Sequence, residues 1–231
     1  KLLNNYYSIL GEPITQYGGF IDSFAGDQIM ALFSDSPRNA VIAGIKMSEA
    51  IQRFNEQSKE TGMPQLRMGI GVNSGPLVLG TMGGRDRIQC TVLGDTVNLA
   101  SRIEQLTKYY DCQFLIGEKT FKQIQSEEEF SLRMVDYVAV KGKDQAIKLY
   151  EVLNAERDER RRLKEKTKPI LMAGLEAYYA KEFSKALERF NEGHQMDPKD
   201  KVFDLYKTRS LEYLQNNPGE NWNGFEQMKH K

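Results

Sequence analysis

The chain has few of the residues on which several common kinds of site depend. Among its 231 residues are two cysteines and two histidines, and both histidines, His194 and His230, lie toward the C-terminal end. The two cysteines, Cys90 and Cys112, make neither a disulfide framework nor a zinc site, so reduced thiols in a cytosolic domain are expected. Histidine-based acid–base or metal chemistry is nearly excluded from the region that precedes His194.

The chain also lacks an excess of either charge, because 32 basic residues balance 32 acidic ones. Proteins that bind nucleic acid carry a basic surface, so nucleic acid is not predicted as the main partner. No apolar run approaches the ~20 residues of a membrane span, and no signal peptide is visible. The chain opens inside a helix-like segment with no start signal before Lys1. We therefore expect a fragment of a longer protein, whose other parts could include sensors or a membrane anchor.

The segment Cys90–Glu104, which reads CTVLGDTVNLASRIE, combines a strand end, a turn and a helix start. Asn98 and Arg102 stand four residues apart on the predicted helix, so their side chains project from one face. A carboxamide and a guanidinium on one exposed face suit a ribose and a phosphate, because arginine offers a planar fork of donors. The alternative is an amphipathic helix on which both side chains are merely solvated.

A hairpin is predicted within Tyr17–Phe33, which reads YGGFIDSFAGDQIMALF. Two apolar runs, Phe20–Ala25 and Ile29–Phe33, flank a Gly-Asp-Gln turn. Turn chemistry alone accounts for glycine and aspartate at this place. The functional interpretation puts the Asp27 carboxylate at the hairpin tip, where two hard oxygens can hold Mg²⁺ or Mn²⁺.

Three further segments follow in order: Leu66–Gly75 (LRMGIGVNSG), Leu79–Arg87 (LGTMGGRDR) and Val138–Asp144 (VAVKGKD). Together with the two segments above, they resemble the catalytic domain of class III nucleotidyl cyclases, the adenylyl and guanylyl cyclases. In that family the three segments look like a central strand, the base of a dimerisation arm, and a hairpin that presents a phosphate-binding lysine. The resemblance runs from about Leu2 to Leu153.

The resemblance implies an α/β domain of ferredoxin-like, palm-type architecture with a central, mostly antiparallel sheet. This domain is predicted to occupy residues 1–153, without the N-terminal strand and metal loop of the family. Residues 154–168 form a charged linker, expected to be a solvated helix because acidic and basic residues interleave. Residues 169–231 are predicted to form a small all-α tail that ends in an extended strap.

The tail has a pattern of its own. Small and large apolar residues through Met172–Pro198 resemble a tetratricopeptide helix pair. A third helix is predicted near residues 201–215, and Trp222 is expected to pin the strap. One repeat cannot bury its own faces, so the tail is expected to pack on the cyclase domain or on a protein partner.

The resemblance implies a reaction in which the ribose 3′-oxygen of a nucleoside triphosphate attacks its own α-phosphorus and expels pyrophosphate. It also implies two Mg²⁺ or Mn²⁺ ions per site, with Asp27 as one bridging carboxylate. By matching positions, Asn98 should orient the ribose, and Arg102 should stabilise charge at the α-phosphate. Lys141 and Arg67 should hold the terminal phosphates, although an ordinary turn lysine is the alternative for Lys141.

The sequence departs from the family pattern in two places. The family's other metal carboxylate precedes the helix that opens this chain, and no residue here matches it, so the chain as given is expected to be inactive. The base-reading pair falls on Ser23 and Thr91, where adenylyl cyclases usually have lysine with Asp or Thr. Thr91 fits adenine, but Ser23 is too short to reach ring nitrogen N1 without a water. No acid is present to read guanine, so ATP is favoured over GTP.

The leading hypothesis is therefore an adenylate cyclase that makes 3′,5′-cyclic AMP and pyrophosphate from ATP at a homodimer interface. A guanylate cyclase is one alternative. A catalytically degenerate module that dimerises and regulates is another. The missing carboxylate and Ser23 favour the degenerate module, whereas Asp27, Asn98, Arg102 and Lys141 favour the enzyme.

Overall fold

The computed structural model describes residues 2–84, 87–126, 128–139 and 146–227. The N-terminal part consists of helix α1 (Leu2–Gln16), strands β1 (Gly19–Ala25) and β2 (Gln28–Phe33), and helix α2 (Pro37–Thr61). Local sequence fixes the ends of α2. The Ser36 side chain accepts a hydrogen bond from the backbone N–H of Arg38 at the start of the helix. The helix stops at Gly62, whose φ of 70° suits a residue without a side chain.

The central sheet has the strand order β3–β6–β8–β7–β9. Its strands are β3 (Ile70–Val72), β6 (Phe114–Gly117), β7 (Leu132–Ala139), β8 (Ala146–Val152) and β9 (Glu226–Gln227). The pairs β3–β6 and β7–β9 are parallel, and the pairs β6–β8 and β7–β8 are antiparallel. This mixed sheet, in which most residue pairs are antiparallel, is covered by helices and confirms the predicted α/β class.

Two helices between the strands shape the sheet: α3 (Asp95–Tyr110) and α4 (Glu118–Ile124). The buried side of α3 consists of Leu99, Ile103, Thr107 and Tyr110. Gly71 of β3 permits a close approach, because a Cβ at this position would lie 2.6 Å from the carbonyl oxygen of Ala100. The backbone of α3 therefore rests directly on β3.

Two hairpins stand apart from the central sheet. Strands β1 and β2 form one two-stranded sheet, and strands β4 (Val78–Gly84) and β5 (Arg87–Leu93) form the other. In the parts of the chain that the structure describes, neither hairpin shares a strand pairing with the central sheet. An isolated hairpin has little stability of its own. The β1–β2 hairpin therefore depends on the contacts that α1 and α2 make with it.

The C-terminal part consists of helices α5 (Asp158–Tyr179), α6 (Phe183–Met196) and α7 (Lys201–Gln215). Two glycines at their contacts each pack against an aromatic ring from the next helix. A Cβ at Gly174 would lie 2.8 Å from Cδ1 of Phe190, and a Cβ at Gly193 would lie 2.7 Å from Cδ1 of Phe203. The alternation of small and large residues thus has a packing reason, and a tetratricopeptide relationship stays a prediction.

The predicted linker, residues 154–168, supplies the first half of α5 and is not wholly solvated. Lys164 and Thr167 are buried within it. The Nζ atom of Lys164 lies 2.5 Å from a carboxylate oxygen of Glu151 on β8 and 2.5 Å from one of Glu156. A buried ammonium requires such partners. Helix α5 therefore docks on the sheet through Lys164, a residue that the sequence pattern predicted to be solvated. The domain division at residues 153 and 154 stays a prediction.

One apolar core joins the sheet to the C-terminal helices. Its members from both parts include Leu115, Val135, Leu149, Leu171, Tyr178 and Phe203. Beyond α7, the ring of Trp222 lies 5.3 Å from that of Tyr178, and β9 then pairs with Val138 and Ala139 of β7. The C-terminal helices and the strap therefore pack on the sheet.

The longest helices, α2 with 25 residues and α5 with 22, both carry charged side chains along their length. In the residues that the structure describes, no helix is both long enough and apolar enough to cross a membrane.

Candidate functional site

The tip of the β1–β2 hairpin presents Asp27 to solvent. Gly26, which precedes it, has a φ of 63° that glycine adopts without strain. The hydroxyl of Tyr7 on α1 donates a hydrogen bond to the carbonyl of Gly26, and its ring lies 4.5 Å from that of Phe24. The Asp27 side chain is exposed. The turn therefore holds a hard carboxylate outward, and α1 supports the turn from behind.

The Asp27 carboxylate acts electrostatically on two neighbouring groups. Burial raises the pKa of the Tyr6 phenol on α1, and the charge of Asp27 raises it further. Burial also raises the pKa of the Glu104 carboxyl on α3, where Lys108 acts to lower the pKa and Asp27 acts to raise it. The hairpin tip is held by α1, and its charge also acts on Glu104 of α3.

Helix α3 is fixed at its first turn. The hydroxyl of Thr96 donates a hydrogen bond of 2.6 Å to the carbonyl of Pro76, and the Asn73 amide donates one of 3.2 Å to the carbonyl of Thr96. Asn98 is exposed and Arg102 is half-buried. Both follow this anchored turn, so their positions relative to the sheet are set by the backbone rather than by a mobile loop.

Asn98 and Arg102 lie on a different face of α3 from Glu104. A helix advances about 100° per residue, so Arg102 and Glu104 project about 200° apart. The Glu104 side faces β3, since a Cβ at Gly69 would lie 3.1 Å from Oε1 of Glu104. Within one chain, the Asp27 charge acts on the Glu104 side of α3, whereas Asn98 and Arg102 project from a different side.

Arg67 lies in the extended segment just before β3, with an exposed side chain. The backbone beside it is held by Asn55 of α2. The Asn55 amide donates a hydrogen bond of 2.8 Å to the carbonyl of Leu66, and its oxygen accepts one of 2.7 Å from the Leu66 N–H. This pair replaces the strand partner that the segment lacks at Leu66, and it fixes the point from which the Arg67 side chain extends.

The predicted base-reading pair lies on two separate hairpins. Ser23 on β1 is half-buried and pairs with Met30 of β2. Thr91 on β5 pairs with Gly80 of β4, and its side chain belongs to the part that the structure does not describe. Lys141 likewise lies outside the described residues, in the connection between β7 and β8. The roles of these three residues stay predictions.

A bound metal ion would need donor side chains among the described residues. They contain no group of three or more His, Cys, Asp or Glu side chains that could hold an ion. Asp27 is an exposed hard-oxygen ligand, which is what Mg²⁺ prefers. Because Mg²⁺ commonly binds to one or two carboxylates plus substrate phosphates, Asp27 fits as part of such a site.

Two supporting residues had not been identified from the sequence. Tyr7 supports the hairpin tip, and Asn55 supports the segment of Arg67. Asn55 offers a weak signal, because it is an amide one turn after the buried Ile51 on α2. Tyr7 offers none, since an aromatic residue on an amphipathic helix usually fills a core.

Comparison with known sequences gives consistent matches. Residues 1–154 match the family model described as the adenylate and guanylate cyclase catalytic domain. An adenylate cyclase of Anabaena cylindrica is 47% identical over 158 residues, which cover 66% of this chain and 32% of that protein. A terminal-differentiation-specific adenylate cyclase of Dictyostelium discoideum is 39% identical over 223 residues, which cover 92% of this chain and 10% of that protein. The chain thus spans a minor part of both relatives.

Among solved structures, the guanylyl cyclase Cya2 matches with a TM-score of 0.57 and 30% identity, over 68% of this chain and 80% of that one. The family model ends at residue 154, whereas the Dictyostelium match covers 92% of the chain. That match therefore includes most of α5–α7, so the C-terminal helices also have a counterpart in a longer relative.

Proposed function

The chain belongs to the adenylate and guanylate cyclase family, and from that membership we propose that it carries the catalytic domain of an adenylate cyclase. The reaction converts ATP to 3′,5′-cyclic AMP and pyrophosphate. The observation that carries this proposal is the outward face of α3, where Asn98 and Arg102 extend from a helix anchored on the sheet. The two relatives named as adenylate cyclases, at 47% and 39% identity, support ATP as the substrate.

Arg102 and Asn98 have complementary roles in this proposal. Arg102 holds the oxygens of the α-phosphate and stabilises the negative charge that grows as the 3′-oxygen attacks, an effect worth about 3–4 kcal/mol in comparable sites. Asn98, one turn earlier, orients the ribose by hydrogen bonds. Arg67 and Lys141 hold the terminal phosphates, which leave as pyrophosphate.

We further propose that Asp27 is a ligand of a divalent metal ion. Mg²⁺ or Mn²⁺, when bound, makes the ribose hydroxyl more acidic and neutralises charge on the triphosphate. Asp27 offers its oxygens at an exposed tip, and the substrate phosphates complete part of the ligand set. We propose that the second carboxylate comes from sequence outside residues 1–231, so that this chain alone is inactive.

The choice between ATP and GTP depends on Ser23 and Thr91. The Thr91 hydroxyl can accept a hydrogen bond from the adenine amino group. Ser23 is short and half-buried, so it reads the base through a water at best. The match at 30% identity to a protein named as a guanylyl cyclase keeps guanylate cyclase activity as the alternative.

The site is proposed to form between two copies of the chain. Asp27 lies near the Glu104 side of α3, while Asn98 and Arg102 project from another face, so one nucleotide reaches both sets when a second copy supplies one of them. The exposed apolar side chains of Val78 and Leu79 on β4, 65% and 58% exposed, favour such an interface. Two-fold symmetry then gives two equivalent sites.

The test is to incubate the complete protein that contains this chain with ATP or GTP in Mn²⁺ or Mg²⁺ and to quantify the cyclic products by mass spectrometry. We expect cyclic AMP from ATP, a lower kcat/KM for GTP, and no significant turnover by residues 1–231 alone. Cyclic GMP as the main product would assign a guanylate cyclase. No product from a demonstrated dimer would assign a degenerate regulatory module.

A further inference from the structure

A buried carboxylate, Asp136 on β7, joins three elements of the fold. Its oxygens accept hydrogen bonds of 2.8 Å from the hydroxyl of Tyr110 and 2.8 Å from the hydroxyl of Tyr206. The guanidinium of Arg209 lies 2.9 Å from Oδ2 of Asp136 and 3.0 Å from Oδ1. We refer to these four residues as the Asp136 cluster.

The cluster is closed to solvent, and the carboxylate of Asp136 is surrounded by hydrogen-bond donors. Asp136 is 1% exposed, and Tyr110 and Tyr206 are equally inaccessible. Burial, and then the Asp136 charge, raise the pKa values of both phenols, so each remains a neutral hydrogen-bond donor. Arg209 supplies the compensating charge and lies over the Tyr206 ring, with its central carbon 5.1 Å from the ring centroid. A carboxylate at this depth is stabilised by these donors.

The partners of Asp136 come from two distant parts of the chain. Tyr110 is the last residue of α3, the helix that carries Asn98 and Arg102. Tyr206 and Arg209 both lie on α7, in the C-terminal helices. The cluster therefore connects the helix of the proposed site to the C-terminal helices through a single side chain of the sheet.

We propose that α7 positions α3 for catalysis through the Asp136 cluster, so that Tyr206 and Arg209 are positioning residues for Asn98 and Arg102. This inference rests on the proposed function. Arg102 lies eight residues before Tyr110, about 12 Å along the same helix. A helix moves as a rigid body, so a displaced C-terminal end shifts Arg102 relative to the α-phosphate. A misplacement of about 1 Å in an active site can lower the rate about 100-fold.

Other contacts keep α7 in place when the cluster is cut. Arg133 of β7 donates hydrogen bonds of 2.5 Å and 3.2 Å to the carboxylate of Asp200, which caps the start of α7. Lys164 holds α5 against Glu151 of β8. A variant that removes one hydroxyl from the cluster therefore changes the support of α3 without releasing the C-terminal helices.

The test uses Tyr110→Phe, Tyr206→Phe and the double variant in the complete protein. Each substitution removes one hydroxyl and keeps the ring. The matched control is Arg160→Gln, which cuts the ion pair of Arg160 with Asp197, a pair that lies within the C-terminal helices and touches neither α3 nor Asp136. Readouts are kcat and KM for ATP, the melting temperature, and amide hydrogen exchange of the peptide covering residues 95–111.

We expect each single variant to lower kcat about tenfold with KM changed less than about threefold, and to speed exchange in α3. The double variant should lose little more than either single variant, because both act on one cluster. Arg160→Gln should lower the melting temperature comparably and leave kcat and α3 exchange unchanged. Unchanged kcat and α3 exchange in the tyrosine variants would overturn the proposal. If the wild-type protein makes no cyclic nucleotide, the proposed function fails, and α3 exchange alone decides whether α7 supports α3.

Discussion

The charged side chains of the proposed nucleotide site and those of the sheet–helix junction have opposite environments. Asp27 and Arg67 are exposed on a hairpin tip and an extended segment. Arg133, Glu151 and Lys164, between the sheet and the C-terminal helices, are each about 1% exposed and paired with one another or with close neighbours. Both sets come from a chain with no net charge.

The difference separates charges that are paired within the fold from charges that remain accessible to a ligand. A buried charge is tolerated when it is paired within the chain, so the junction charges are structural. The exposed charges cost little to maintain and remain available to phosphates, metal ions or a second subunit. Substitutions in the junction should therefore affect stability first, and substitutions in the site should affect activity first.

The largest expected effect is on the free energy of unfolding of Arg133→Met. Removing this guanidinium leaves Asp200 buried without its main partner and deprives Glu151 of one of two cations. We expect a loss of about 3–5 kcal/mol, measured by denaturant unfolding. The control is Arg189→Met, which removes an exposed pair with Glu192 on α6 and should cost less than about 1 kcal/mol. Equal losses in the two variants would contradict the distinction between junction and surface charges.

A smaller effect on the free energy of unfolding is expected from acid. Burial acts to raise the pKa of Glu151, but Arg133 and Lys164 outweigh it and lower that pKa to about 2. The ionised form therefore stabilises the fold fully above about pH 4.5, and this contribution is lost as the pH falls toward 2. The pKa of Glu156, beside it, is raised, and burial is the main cause. Its contribution to stability therefore depends on pH in the opposite direction.

The measurement is the stability of the wild type and of Glu151→Gln between pH 5 and pH 2. Glutamine cannot titrate. The difference in the free energy of unfolding between the wild type and Glu151→Gln should therefore shrink by about 3 kcal/mol as the pH falls through this range. A difference that stays constant with pH would mean that Glu151 is not held ionised by Arg133 and Lys164.

The smallest effect is expected on the choice of base. Ser23→Lys places an ammonium where it can donate to adenine N1 and repel the N1 hydrogen of guanine. We expect the ratio of kcat/KM for ATP over GTP to rise about tenfold, with little change in stability. Ser34→Lys, at an exposed position after β2, adds the same charge away from the predicted base and should leave the ratio unchanged. An equal ratio in both variants would show that Ser23 does not face the base.

The sequence predicted the elements whose signals are local. The hairpin turn at Gly26 and the helix of Asn98 and Arg102 both form where the pattern indicated, because turn chemistry and helical spacing act within a few residues. The burial of Lys164 was not predicted, since its partner Glu151 is on a different element and the run around Lys164 reads as solvated. The Asp136 cluster was missed for the same reason. Its members lie 26, 70 and 73 residues from Asp136 along the chain, so no local pattern brings them together.

The central claim is that residues of two subunits complete one site, and subunit exchange tests it most directly. In the complete protein, Asp27→Asn and Arg102→Ala should each be nearly inactive alone. In a mixed dimer, one site carries both lesions and the other carries none. With random exchange, about half of the dimers are mixed, so activity should recover to roughly a quarter of the wild-type value.

The matched control mixes Asp27→Asn with Arg67→Ala. We propose that Asp27 and Arg67 come from one subunit and Asn98, Arg102 and Lys141 from its partner. Every site in this mixed dimer then carries a lesion, so activity should stay low. Recovery in the first mixture and none in the second is the predicted result. No recovery in the first mixture, despite demonstrated subunit exchange, would mean that Asp27 and Arg102 serve a site within one chain, which contradicts the account.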